Sequence, residues 1–234
     1  MAQDTHFHEG TAGLRARIMH DNVRLGTRPN TPAVLWLVGL TCLPEALFTL
    51  LSADLIGQGN LRNIAYAYGA FWNGLLHAGW EPLYPLQREA MFLTYAFLHG
   101  GLLHLVGNMI AVLALGGIVV ARIGAKGFLL LYALTAIGGA AGFALLSSGT
   151  TPMIGASGAV FGLIGAWKFW EWQVRRHLGA SLAPVWRSVA GLAALNVLLW
   201  LLLSGLLAWE AHLGGFITGV VFAAIVTPNL RYRI

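Results

Sequence analysis

The chain has 234 residues, of which 57% are hydrophobic and only 10% charged, and its mean hydropathy is +0.70. Soluble domains carry about 25% charged residues, so the composition excludes an ordinary soluble domain and points to an integral membrane protein. The net charge of +5 does not imply a nucleic-acid partner, because the basic residues fall between apolar runs rather than on one patch.

Residues 1–32 are polar, carry Arg15, Arg17, Arg24 and Arg28, and end in the breaker Pro29–Pro32. They read as a mobile N-terminal tail. No signal peptide is expected, since the first apolar run begins near Ala33 behind this tail and is too long for an h-region. That run, Ala33 to Ile56, exceeds the ~20 residues a helix needs to cross hydrocarbon. It holds Pro44 and Glu45 near mid-depth, which reads as a kink with the carboxylate turned into the bundle.

The connector 57–90 contains Tyr66, Tyr68, Phe71, Trp72, Trp80 and Tyr84. It is too interrupted to span, and its aromatic content suits a segment lying in the membrane interface. The next apolar run, Ala90 to Ala121, is divided at Gly100-Gly101 into a lead-in and a helix from about Leu102. Further spans are expected at about 127–147, 157–174, 188–207 and 211–228, for a total of six.

Charge placement agrees with six. Twelve of the 14 Lys and Arg residues then fall on the side of the two termini, while Arg62 and Arg88 fall on the other. The positive-inside rule places both termini in the cytoplasm. The single Cys42 excludes an intramolecular disulfide.

Polar residues inside spans are costly and by default suggest function. Three places stand out: His99, His104 and Asn108 around the start of span two, Ser157 at the start of span four, and His212 at the start of span six. His104 to Arg122 is 18 residues, Ser157 to Arg175 is 18, and His212 to Arg231 is 19. At 1.5 Å per residue all three groups lie roughly 27–29 Å from the cytoplasmic anchors, in the outer part of the bilayer.

Gly158 and Gly162 are four apart, as are Gly215 and Gly219, giving two small faces for close helix approach. Packing those faces together brings His212 towards Ser157, with the Phe161 ring available to support the imidazole. His104 and Asn108 share a face at i,i+4.

Such an arrangement suits nucleophilic catalysis. Ser157 needs a base to take its proton, and His212 is placed to serve as base and then as acid. His104, Asn108 and the backbone at Gly155–Ser157 are the candidate oxyanion and substrate-binding donors. No carboxylate is well placed as a third member, so the inventory allows a Ser–His dyad. Each piece alone has a plainer reading: the serine as helix-packing filler, His104 and Asn108 as interhelical glue, His212 bonded to a carbonyl. Their common depth favours the joint reading. The chain lacks the H-E-x-x-H of zinc proteases and the C-x-x-C-H of haem attachment, and no metal or cofactor is expected.

These residues resemble the rhomboid intramembrane serine proteases. The match is His99-x4-His104-x3-Asn108, Gly155-Ala-Ser157-Gly158, and Ala211-His212-x-x-Gly215 followed by Gly219, over about residues 33–230. The resemblance implies an all-α, six-transmembrane-helix bundle with Ser157 as nucleophile and His212 as base. It further implies an oxyanion hole lined by His104 and Asn108, a supporting role for His99, and 57–90 as the membrane-embedded first loop. Substrates would be membrane proteins with a transmembrane helix, passing sideways by span five around Trp200 to Leu206.

Two positions depart from the family pattern. Ala90-Met91 stand where a Trp-Arg pair is usual, with Arg88 out of register, and Phe161 stands where tyrosine is frequent. The expected organisation is a tail (1–32), a catalytic domain (33–230) and a cytoplasmic C-terminus (231–234), in a bacterial cytoplasmic membrane. The alternative is a non-catalytic rhomboid-like protein that binds transmembrane helices. A small transporter ranks below both, because the polar groups cluster in one leaflet.

Overall fold

The computed structural model describes residues 31–52 and 60–226. The expected tail up to residue 30, the end of the first span and the C-terminal segment 231–234 fall outside the described residues.

The first helix, α1 (Pro32–Ser52), turns a narrow stripe inward. Val34, Leu37, Thr41, Glu45 and Phe48 are buried, at the three- and four-residue spacing of one helical face, while Leu35, Trp36, Leu40, Leu43 and Leu47 are exposed. Such an outward face suits lipid, not water. Pro44 lies inside α1, and Glu45 faces the interior as expected.

The connector folds into three short helices, α2 (Leu61–Gly69), α3 (Gly74–His77) and α4 (Gln87–Thr94), ending in a 3-10 turn at Tyr95–Phe97. Its irregular backbone is satisfied by its own side chains. Trp72 Nε1 donates to the Tyr66 carbonyl at 2.9 Å, Gln87 Nε2 to that of Ala67 at 2.7 Å, and Thr94 Oγ1 to that of Gly69 at 2.7 Å. Arg88, out of register in the sequence, grips the same segment: its Nε reaches the Leu75 carbonyl at 2.8 Å and an Nη that of Trp80 at 3.0 Å. The connector is therefore a braced unit rather than an open loop.

Helix α5 (Leu102–Leu146) is 45 residues long, about twice what one crossing needs. It is broken at Gly124, whose φ of 75° and ψ of 172° are non-helical, so two expected spans follow one another with almost no loop. Then come α6 (Ser157–His177), α7 (Ala183–Leu202) and α8 (Trp209–Ile225). By length and composition α1, α5 and α7 can each cross a membrane, and α8 is a shorter apolar helix. Helix α6 is less apolar because Lys168, Glu171, Arg175 and Arg176 occupy its second half. There Glu171 pairs with Lys168 and with Arg175, each at 2.8 Å. Span five starts about five residues earlier than expected: Pro184 in the first turn launches α7, and Ser204 and Gly205, both at positive φ, close the turn after it.

Helix α8 is the centre of the bundle, wedged between α5 and α6 through glycines. A Cβ at Gly215 would fall on the Gly158 carbonyl oxygen and one at Gly219 on that of Gly162, so α6 and α8 touch backbone to backbone. On the opposite side Gly214 meets Gly138 and Gly142 of α5. Small residues allow this approach, which maximises dispersion contact where lipid offers no hydrophobic drive. Helix α7 is different, because Val185 is its one buried residue.

Candidate active site

Ser157 is the first residue of α6, preceded by a loop that the rest of the fold pins down. Phe71 and Met153 exchange backbone hydrogen bonds of 3.0 and 2.9 Å, and the Gly155 N–H donates to the Tyr95 carbonyl at 3.0 Å. Tyr95 is in turn fixed to α5 by its hydroxyl, which donates to the Ala136 carbonyl at 2.8 Å. Gly155 has φ +117°, a conformation that side chains rarely adopt, so glycine is required there. The turn delivers Ser157 to the positive end of a helix, where the first backbone N–H groups have no intrahelical partner.

The glycine contact between α6 and α8 sets the key distance. His212 Nε2 lies 2.8 Å from Ser157 Oγ, and the imidazole stacks on the Phe161 ring with centroids 4.1 Å apart and planes 8° from parallel. The histidine is 5% exposed. Its Nδ1 lies 2.6 Å from Oδ1 of Asn196 on α7. A carbonyl oxygen can only accept, so Nδ1 carries the proton and Nε2 presents its lone pair to the serine hydroxyl. That is the tautomer a general base requires.

His104 and Asn108 lie on the first turns of α5, on the far side of the Gly155 turn. A Cβ at Gly155 would sit 2.7 Å from Cε1 and Nε2 of His104 and 3.8 Å from Nδ2 of Asn108, so both side chains converge there. The Gly100 N–H donates to His104 Nδ1 at 3.3 Å, which leaves Nε2 as the protonated, donating nitrogen. Asn108 is buried and spends one amide hydrogen on the His104 carbonyl at 3.1 Å. His104 is exposed, on the side where α5 begins.

His99 is buried beneath this cluster, its ring edge-on to that of His104 at 5.0 Å. Its Nε2 accepts the Ala156 N–H at 3.4 Å, beside the serine. Its carbonyl accepts from Tyr66 Oη at 2.6 Å and from Arg62 at 3.0 Å. Arg62 in turn makes a two-pronged pair with Glu45, at 2.8 and 2.9 Å. Hydrogen bonding to Glu45 holds the Arg62 guanidinium above its ordinary pKa. Glu45 thus has a bracing part: it fixes Arg62, which holds the His99 segment under Ser157. Among the described residues no three His, Cys, Asp or Glu side chains gather as metal ligands would.

The structure thus brings Ser157, Phe161 and His212 together, sets His104, Asn108 and Gly155 beside them, and puts His99 below. Two further contributors, Arg62 and Asn196, are not among the residues that the sequence singles out. Arg62 reads there only as a loop charge. Asn196 has a sequence signal of its own, as a lone amide in the apolar run around Leu192–Leu203, where a polar side chain is costly.

The fold defines an integral, polytopic all-helical membrane protein whose site pairs a serine hydroxyl with an oriented imidazole. Residues 87–229 match the Rhomboid domain, and the chain belongs to the rhomboid family. It is 31% identical over 167 residues to a rhomboid-like protease 3 of Toxoplasma gondii, covering 67% of this chain and 59% of that protein. It is 32% identical over 143 residues to RHOMBOID-like protein 5 of Arabidopsis thaliana, covering 58% and 44% respectively. An uncharacterized protein of Mycobacterium tuberculosis is 27% identical over 220 residues, covering 87% of this chain and 84% of that one. The chain thus spans less than two thirds of the two rhomboid-named relatives. Membership supports, in general terms, a function of the intramembrane-protease type.

Proposed function

We propose that this protein is an intramembrane serine protease that hydrolyses peptide bonds in or near transmembrane helices of other membrane proteins. The observation that carries the reading is the 2.8 Å contact between Ser157 Oγ and His212 Nε2, with Nδ1 held by an acceptor. The rhomboid kinship and the 31% identity to a protein named as a protease add to it.

In this mechanism the Oγ electron pair attacks the scissile carbonyl carbon as His212 Nε2 takes the hydroxyl proton. Charge moves to the carbonyl oxygen, and the Ser157 N–H, the Asn108 amide and His104 Nε2–H are the donors that receive it. The imidazolium gives its proton to the amine nitrogen, the C–N bond breaks, and an acyl-serine remains. Water then attacks that ester while His212 takes its proton. Collapse of the second intermediate returns the proton to Ser157 and releases the carboxylic acid.

Water is needed inside an apolar bundle, and the exposed side of His104 is a route for it from the outer face. A helical peptide bond is sheathed by its neighbours, so the substrate must be locally unwound at the cut. The working unit is residues 33–230, with the connector 57–90 in the outer interface and both termini in the cytoplasm, consistent with the distribution of basic residues. A bacterial cytoplasmic membrane fits this arrangement.

The test is cleavage of a single-span substrate in proteoliposomes by wild type, Ser157→Ala and His212→Ala. Cleavage by wild type, abolished in both folded variants, is expected. Cleavage persisting in Ser157→Ala would remove the dyad. A silent wild type across a substrate panel would favour the non-catalytic helix-binding alternative.

A further inference from the structure

A neutral imidazole has two tautomers, and only one leaves Nε2 free to take a proton from Ser157. Nothing on α6 or α8 chooses between them. Phe161 stacks on the flat face of the ring, where it fixes the plane but offers no acceptor in that plane. Ser157 approaches Nε2 at 2.8 Å with a hydroxyl that can donate or accept, so it is satisfied by either tautomer. The choice falls to the Nδ1 side, where Oδ1 of Asn196 lies 2.6 Å away.

Asn196 comes from a helix that otherwise has little hold on the bundle. Val185, near the cytoplasmic end of α7, is its one buried residue, and Ser188 meets Lys168 in the same region at 3.4 Å. Asn196 is part-buried among exposed neighbours, with Leu195, Val197, Leu198 and Leu199 all turned outward. An amide in such surroundings is costly unless its polar atoms are engaged. Its carbonyl engages the imidazole that the proposed reaction needs.

We propose that Asn196 is a positioning residue for His212, so that the hydrogen-bonded set is Ser157–His212–Asn196 rather than a dyad. The inference rests on the protease reading and extends it. Asn196 touches no reacting atom. It acts through the imidazole, holding Nδ1 protonated and the ring turned to Ser157, and its neutral carbonyl also stabilises the imidazolium formed when Nε2 takes the serine proton. A neutral acceptor avoids the cost of placing a carboxylate at this depth. Because the acceptor sits on α7, His212 is held in its basic form only while α7 is seated against α8.

The experiment compares wild type with Asn196→Leu, which keeps the branched outline and removes the acceptor, and with Asn196→Asp, which keeps an acceptor. All are full-length chains in proteoliposomes. Two quantities are read: kcat and KM for the single-span substrate, and the rate at which a small fluorophosphonate labels Ser157. The labelling needs an activated serine but no passage of a helix past α7. Loss of one buried hydrogen bond to the base corresponds to roughly ten- to hundredfold in rate.

Asn196→Leu is expected to lower kcat and the labelling rate together by about that factor, with KM little changed, and Asn196→Asp to restore a substantial part of both. If Asn196 merely seats α7, Asn196→Leu will alter KM or melting temperature while labelling stays at the wild-type rate, and the proposal is overturned. Labelling of wild type at Ser157 together with substrate cleavage upholds the protease reading whatever the variants do. Absence of both labelling and cleavage in wild type overturns that reading and this one with it.

Discussion

Replacing Gly155 with alanine separates two consequences of the turn that presents Ser157. The first is backbone strain. At φ +117° an L side chain is badly placed, at a cost of about 1–3 kcal/mol. The second is a collision. The new Cβ would lie 2.7 Å from Cε1 and Nε2 of His104, whereas ordinary contact begins at 3.4 Å, so the ring must retreat by about 0.7 Å. His104 is a proposed oxyanion donor, and a displacement approaching 1 Å costs up to about 10²-fold in rate. Gly155→Ala is therefore expected to lower kcat by on the order of tenfold to 10²-fold, along with a lower melting temperature. Gly101→Ala is the control: its φ of +134° carries comparable strain, but nothing lies within 4 Å of its Cβ. The two variants should lose similar stability while Gly155→Ala loses much more turnover, measured by substrate cleavage in proteoliposomes and thermal unfolding in detergent. Equal kcat values for the two would refute the argument that the Gly155 turn and the His104 ring share one tight space.

Arg62→Ala strands the Glu45 carboxylate, which is 3% exposed, and should cost about 3–5 kcal/mol of stability. The double variant Glu45→Leu/Arg62→Leu should lose distinctly less in the same unfolding assay, because no buried charge is left behind. An equally large loss in both would mean that the ion pair is not the reason. Gly215→Ala places a methyl on the Gly158 carbonyl, backbone against backbone, so α6 and α8 must separate. It should abolish fluorophosphonate labelling or prevent folding altogether, whereas Gly39→Ala, with open space around it, should do neither. Wild-type labelling in folded Gly215→Ala would break the link between helix contact and the Ser157–His212 distance.

Whatever depends on composition, period and spacing is legible along the chain. Apolar runs bounded by basic residues define the spans, because charge is costly in hydrocarbon and cheap at its edge. The four-residue intervals Gly158–Gly162 and Gly215–Gly219 mark the faces of α6 and α8 that meet. Nearly equal counts of 18, 18 and 19 residues to Arg122, Arg175 and Arg231 point to one common level for His104, Ser157 and His212. All of these follow from the rise and period of a single helix.

The partners that those counts cannot reach are set by how the helices and the connector pack. Whether Asn196 meets His212 depends on where α7 begins, and the helix starts at Ala183 rather than the expected 188 because Pro184 suits a first turn. Moving a helix by five residues changes both the depth and the facing of every side chain on it. Arg62 with Glu45, and Arg88 with the Leu75 and Trp80 carbonyls, are likewise pairings across a folded connector whose path has no periodicity to read. The imidazole tautomer was beyond any sequence argument, since it is fixed by a single 2.6 Å contact between two helices. Local rules identify which groups share a level in the membrane, and the crossing of helices decides which of them touch.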